Sequence, residues 1–139
     1  MVWFEQFSDR GRYRLFVAER DGRVIGYAGT TRFRVKAAYD PTVETTIYCG
    51  HEAVGQGAGR VLYKALFAAL AVEDIRRIVA GYTLPNPGSE ALHKLFGFSQ
   101  VGIFHENGRK FGKYWDVAWN ERPLRLEQRA SLYQRWARY

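Results

Sequence analysis

Three glycines alternate at Gly55, Gly57 and Gly59 in the run V-G-Q-G-A-G-R, and a helical pattern begins directly after them. The helix is read from Val61, Leu62, Ala65, Leu66, Ala69 and Leu70, apolar positions spaced as one helical face. A glycine turn seated on a helix N-terminus constrains this chain more than any other feature. First-turn N–H groups are unpaired, the dipole end is positive, and glycines admit a ligand close to the backbone. Arg60 adds a formal positive charge. Taken alone, the stretch is either an anion site or a tight connection. No Gly-Lys-Ser or Gly-Lys-Thr follows, which excludes a Walker loop. Strict alternation of the glycines, with no acidic residue in a following strand, fits the dinucleotide fingerprint poorly.

The flanking sequence reads as strands with a second helix. Tyr13 to Glu19 and Arg23 to Phe33 are extended runs joined by Asp21-Gly22, a favoured hairpin turn. Gly26 and Gly29 mark a bend or a close backbone approach in the second run. After a basic, aromatic loop from Arg34 to Pro41, a third strand, Thr42 to Cys49, leads into the glycine turn. The helix ends near Val72 and Arg76 to Tyr82 reads as a buried strand, an order that implies a parallel pair with a right-handed crossover. Asn86-Pro87 opens the second helix as N-cap and first helical residue, and Gly97 closes it. Ser99 to Glu106 and Arg109 to Trp119 flank Asn107-Gly108, the expected turn of a second hairpin. Met1 to Phe7 reads as the end of a helix. The 139 residues suit a single domain over 1–122 and a basic, helical tail over 123–139 carrying Leu132 and Trp136.

A net charge of +7 suits an anionic ligand, a nucleic acid or an acidic membrane surface, but the basic residues are scattered and form no run. The single cysteine, Cys49, excludes an internal disulfide and a Cys-rich zinc site. His51, His93 and His105 have no metal-binding spacing, so no metal is expected. With no apolar run of membrane-spanning length, and with Glu5 and Asp9 early in the chain, the expectation is a soluble, cytoplasmic protein.

Four blocks in order carry a family resemblance: A-A-Y-D-P-T-V-E-T-T-I-Y from Ala37, G-Q-G-A-G-R-V-L-Y from Gly55, L-P-N-P-G-S-E-A-L-H-K-L-F-G-F from Leu84 and G-R-K-F-G-K-Y-W-D-V from Gly108. The chain resembles the GNAT superfamily of acetyl-CoA-dependent N-acetyltransferases, and more narrowly its phosphinothricin and methionine sulfoximine acetyltransferase branch. The resemblance implies a mixed α/β domain, a mostly antiparallel twisted sheet with a central parallel strand pair flanked by helices. The family opens with a strand and two helices, for which only the helix end at Met1 to Phe7 stands here.

Acetyl-CoA is then the implied co-substrate and a primary amine of a small, amino-acid-like molecule the acceptor. The family's glycine block wraps the coenzyme pyrophosphate, which assigns Val54, Gly55, Gln56, Gly57, Ala58, Gly59 and Arg60 to cofactor binding. Superfamily members begin this block with Arg or Gln where this chain has Val54, removing one side-chain contact to phosphate. Ile47, Tyr48 and Cys49 would pair with the pantetheine arm like an added strand. A backbone N–H around Tyr48 would face the thioester carbonyl. Asn86, with Ser89 beside it, would bond the same arm. Glu44 of the T-V-E block is the implied base, and burial should raise its pKa for that task. His93 stands where many members place the acid that protonates the leaving thiolate, a position equally suited to a structural histidine. Arg34, Lys36 and Tyr39 precede or lie in the A-Y block and would hold the acceptor's acidic end, Lys36 without the bidentate fork of the usual Arg. Cys49 reads as a packing thiol, not a nucleophile. Relatives form dimers, and a homodimer is expected, with neither nucleic acid nor membrane as partner. Two other readings remain distinct: a coenzyme-binding remnant that does not turn over, and a basic nucleic-acid-binding module.

Overall fold

The computed structural model describes residues 2–53, 55 and 57–125. Val54, Gln56 and the expected tail helix with Leu132 and Trp136 lie outside them. After a short helix α1 (Val2–Glu5), six strands form one sheet: β1 (Leu15–Arg20), β2 (Arg23–Arg32), β3 (Thr42–Cys49), β4 (Arg77–Thr83), β5 (Ser99–Lys110) and β6 (Lys113–Pro123). Helix α2 (Ala58–Leu70) connects β3 to β4, and α3 (Pro87–Leu95) connects β4 to β5. Strand order is β1-β2-β3-β4-β6-β5, antiparallel except for β3 and β4, as expected for a parallel pair joined through a helix.

Packing holds α2 on the sheet. Leu62, Tyr63, Leu66 and Leu70 are buried against Ala28, Val43, Ile78 and Ala80 on one sheet face, with Phe98 and Leu124 closing the cluster. Each buried leucine contributes about 1.5–3 kcal/mol, which outweighs helix propensity differences of a few tenths. The expected face needs one correction. Val61 is 65% exposed and Tyr63 takes its place in the core. A phenol is admitted there because its hydroxyl meets the His93 ring at 2.8 Å.

Asp21 and Gly22 both have positive φ, 51° and 77°, and close the first hairpin as expected. The second hairpin departs from expectation. Strand β5 runs through Asn107-Gly108, and the turn is Phe111-Gly112, with φ of 53° and 70°. Phe104 pairs with Val117 and Gly108 with Trp115, so the intervening residues bulge opposite Asp116. Its carboxylate holds the bulge, accepting the Glu106 N–H at 2.9 Å and lying 3.1 Å from His105 Nδ1. Those contacts, the Glu106 N–H first, keep the Asp116 carboxyl below its ordinary range. A side chain on the facing strand thus overrides a strong local turn signal.

Pro123 ends β6 and Leu124 is buried in the core, so both residues belong to the folded unit and not to the tail expected from position 123. Arg122 anchors this end. Its guanidinium is buried, donates to the carbonyls of Phe96, Pro123 and Leu124, and lies 4.7 Å over the Phe67 ring. The C-terminus of α3 carries a Schellman motif at Gly97, where the Phe98 N–H donates to the His93 carbonyl at 3.0 Å.

Candidate active site

Strands β3 and β4 pair only through Thr42–Arg77, Val43–Ile78 and Glu44–Val79, then part. A cavity of about 650 Å³ opens where they separate, between the N-terminal ends of α2 and α3. Strand β3 supplies Ile47, Tyr48 and Cys49, the glycine turn and first turn of α2 supply Gly55, Gly57, Ala58, Gly59 and Arg60, and the start of α3 supplies Asn86 and Ser89. Of the residues assigned to the cofactor from sequence, every one inside the described residues therefore meets at this cavity. Sequence reasoning missed Ala53, Gly88 and the α3 face made by Ala91, Leu92 and Leu95. Leu95 is 57% exposed, an apolar side chain that α3 does not bury in the core.

The glycines divide their roles. Gly55 and Gly57 have φ of 77° and 81°, where a Cβ would meet no atom within 4 Å, so backbone conformation and not crowding requires glycine. At Gly59 a Cβ would lie 3.1 Å from Leu92 Cδ2. That position lets α2 and α3 approach. Gly57 is the N-cap of α2 and no side chain caps the helix, whose first turn holds Arg60 and no acidic residue. By contrast, α3 is capped by Asn86, whose Oδ1 accepts the Ser89 N–H at 3.1 Å. Among the described residues, the α2 terminus is the one that meets the cavity without a side-chain cap. Asn86→Ala is expected to cost about 1 kcal/mol of stability, read as a lower denaturation midpoint.

Backbone phase along β3 decides which amides face the gap. The Gly50 N–H donates to the Ile25 carbonyl at 2.8 Å, on the register that pairs Tyr27 with Tyr48 and Gly29 with Thr46. Bonded and non-bonded pairs alternate in an antiparallel ladder. Tyr48, Thr46 and Glu44 therefore bond to β2, while the backbone groups of Ile47 and Cys49 point toward the parting. A Thr30 N–H donated to the Arg14 carbonyl at 2.9 Å fixes the same phase from the other side of β2. The Tyr48 N–H is thus committed to Tyr27, and of the backbone N–H groups around Tyr48 those of Ile47 and Cys49 face the parting. Tyr48 contributes its ring instead, stacked on Tyr27 at 5.8 Å.

Glu44 stands at the last paired position before the gap, half-buried on the sheet face away from α2. Burial raises its pKa above the ordinary 4.5 and the charge of Arg34 partly opposes the rise. Arg34 lies 4.0 Å over the Phe33 ring, and Tyr39 meets the same ring edge-on, so these two gather near Glu44's strand. Lys36 is exposed just before the short turn Ala37–Tyr39. Cys49 is half-buried and burial raises its thiol pKa, which keeps it protonated.

His93 is not brought to the cavity. It is 3% exposed, with Nδ1 2.7 Å from the Ser89 carbonyl and Nε2 2.8 Å from the Tyr63 hydroxyl. Nδ1–H must donate to that carbonyl, and in the neutral ring that burial favours, Nε2 accepts from the phenol. Burial lowers the His93 pKa and raises that of Tyr63. The imidazole ties α3 to α2 with both ring nitrogens engaged, which fits the structural one of the two readings of this position.

Residues 3–119 match the acetyltransferase (GNAT) domain family. The phosphinothricin N-acetyltransferase of Streptomyces coelicolor is 49% identical over 124 residues, covering 88% of this chain and 72% of that protein. An N-acetyltransferase of Streptomyces griseus is 45% identical over 129 residues, covering 89% and 66%. The crystal structure of a GNAT superfamily phosphinothricin acetyltransferase from Sinorhizobium meliloti in complex with AcCoA superposes with a TM-score of 0.73 at 37% identity, covering 80% of this chain and 60% of that one. The chain spans 60% to 72% of the length of these proteins. With the matched family region covering most of its residues, the chain belongs to the GNAT acetyltransferase family.

Proposed function

We propose that the chain moves an acetyl group from acetyl-CoA to the primary amine of a small, amino-acid-like acceptor of the phosphinothricin or methionine sulfoximine type. One observation carries this reading: uncapped α2 amides, the Ile47 and Cys49 backbone and the Glu44 carboxylate converge on one parting between strands. The α2 N-terminus, with Gly55, Gly57 and Arg60, receives the pyrophosphate. Ile47 and Cys49 pair with the amides of the pantetheine arm, and an N–H of that pair faces the thioester oxygen as charge develops. Leu92 and Leu95 line the apolar part of the channel. Glu44 takes the ammonium proton from the far face. Its raised pKa brings it closer to an amine's than an ordinary glutamate. The amine nitrogen then bonds to the acyl carbon, the C–S bond breaks, and the proton the nitrogen sheds ends on the thiol.

Arg34 and Tyr39 are proposed to receive the acceptor's acidic end, with Lys36 at the loop's edge. The chain is proposed to work as a cytoplasmic homodimer through edge strand β5, which exposes Val101, Ile103 and Phe104. No helix among the described residues is long and apolar enough to cross a membrane. Titration calorimetry with acetyl-CoA, followed by thiol release with amino-acid amines, tests the reading. Saturable binding is expected, with thiol release only when amine is added. At a ligand excess of roughly 100 Kd, binding should add about 2.7 kcal/mol of stability. No heat and no thermal shift at millimolar coenzyme would remove the transferase reading.

A further inference from the structure

On the sheet face away from α2, the Trp119 ring lies flat against one glycine and the edge of the Phe7 ring approaches another. At Gly81 of β4, a Cβ would sit 3.0 Å from three ring carbons of Trp119. At Gly29 of β2, a Cβ would sit 3.4 Å from the Phe7 ring. Alternation fixes the side: Ile78 and Ala80 are buried toward α2, so Gly81 and its paired Trp119 face the opposite way, as do Val79 and Glu44. Ala28 and Thr30 fix the face of Gly29 in the same manner. The parting of β3 from β4 lies between these rings, flanked on β3 by Glu44 and the exposed Thr46, the partner of Gly29. Gly29 and Gly81 stand two strand spacings or more apart, about 10 Å. That width is enough for an amino-acid-sized molecule over Glu44.

We infer that Trp119 is a specificity-determining wall of the acceptor side, limiting the bulk of the amine that reaches Glu44, with Phe7 as the facing wall. The inference rests on the transferase reading and makes it more definite. Trp119 does not line the coenzyme cavity, so its effect is expected on the acceptor and not on the coenzyme. Gly81 is what lets the ring lie down, and its backbone is outside the left-handed region, so alanine is tolerated there while its methyl pushes the ring aside.

The test compares Trp119→Ala, Trp119→Phe and Gly81→Ala on primary amines graded in side-chain bulk. Trp119→Ala is expected to raise KM for the smallest good acceptor by roughly ten-fold and to improve bulkier amines relative to it. KM for acetyl-CoA should change less than about two-fold, and Trp119→Phe should rank amines as the parent does. Gly81→Ala, a milder change, should shift the ranking in the direction of Trp119→Ala and serves if the latter does not fold. In parallel, the same amines titrated into coenzyme A-loaded protein should change indole fluorescence in the parent and not in Trp119→Phe. An unaltered amine ranking in both Trp119→Ala and Gly81→Ala overturns the inference. So does an amine response that is absent in the parent or survives in Trp119→Phe. If no amine is turned over while the fluorescence response behaves as expected, the transferase reading fails and the assignment of Trp119 stands.

Discussion

Glu44→Gln is expected to lower kcat by roughly a hundred- to ten-thousand-fold while acetyl-CoA binds as before. The separation follows from placement: Glu44 lies outside the coenzyme cavity, at the end of the paired stretch, on the face away from α2. The amide is isosteric and cannot accept a proton from an ammonium. The sign with pH is also fixed. A base must be ionised to act, and burial raises the Glu44 pKa above 4.5. The parent's kcat/KM should therefore fall as pH drops, through a limb centred above that value and absent from Glu44→Gln. Stopped thiol-release assays across pH read both effects. Unchanged turnover in Glu44→Gln would take the residue out of the reaction.

His93→Leu should destabilise the fold by roughly 1–3 kcal/mol, because it leaves the buried Tyr63 hydroxyl facing a hydrocarbon. Tyr63→Phe in the same chain should return part of that loss, since removing both partners avoids the orphan. Chemical denaturation of the two single variants and the double variant gives the coupling directly. A pH signature accompanies it. The lowered His93 pKa means the unfolded chain binds a proton that the folded chain refuses, so the contribution is complete above the ordinary 6.5 and is lost as pH falls below it. The slope cannot exceed about 1.4 kcal/mol per pH unit for one group. His93→Leu should flatten it. Additive single variants, or an unchanged slope, would count against the buried pair.

Much of the fold and of the site is legible in the order of the residues alone. The glycine turn, the α2 and α3 helices, strand β3 and the Asn86 cap follow from local chemistry that the tertiary context reinforces. What escapes such a reading depends on partners distant in sequence. Asn107-Gly108 is a strong turn signal until Asp116 from the facing strand holds a bulge there. Tyr63 breaks the apolar stripe until His93 supplies its acceptor. His93 resembles an acid because helix periodicity does not reveal which face of α3 meets α2. The choice between Tyr48 and its neighbours as amide donors is set by ladder phase, which depends on how β2 registers with β3.

That phase has a consequence for how the chain can change. Side-chain direction and amide direction along β3 repeat with a period of two. A single residue added or removed between Glu44 and Ile47 would either swing the carboxylate to the helix side or turn the gap-facing amides into the ladder, according to which end of β3 keeps its register. Base and amide donors are therefore coupled through parity: insertions in the surrounding loops leave their relation intact, whereas β3 tolerates a change in length only by two residues or none.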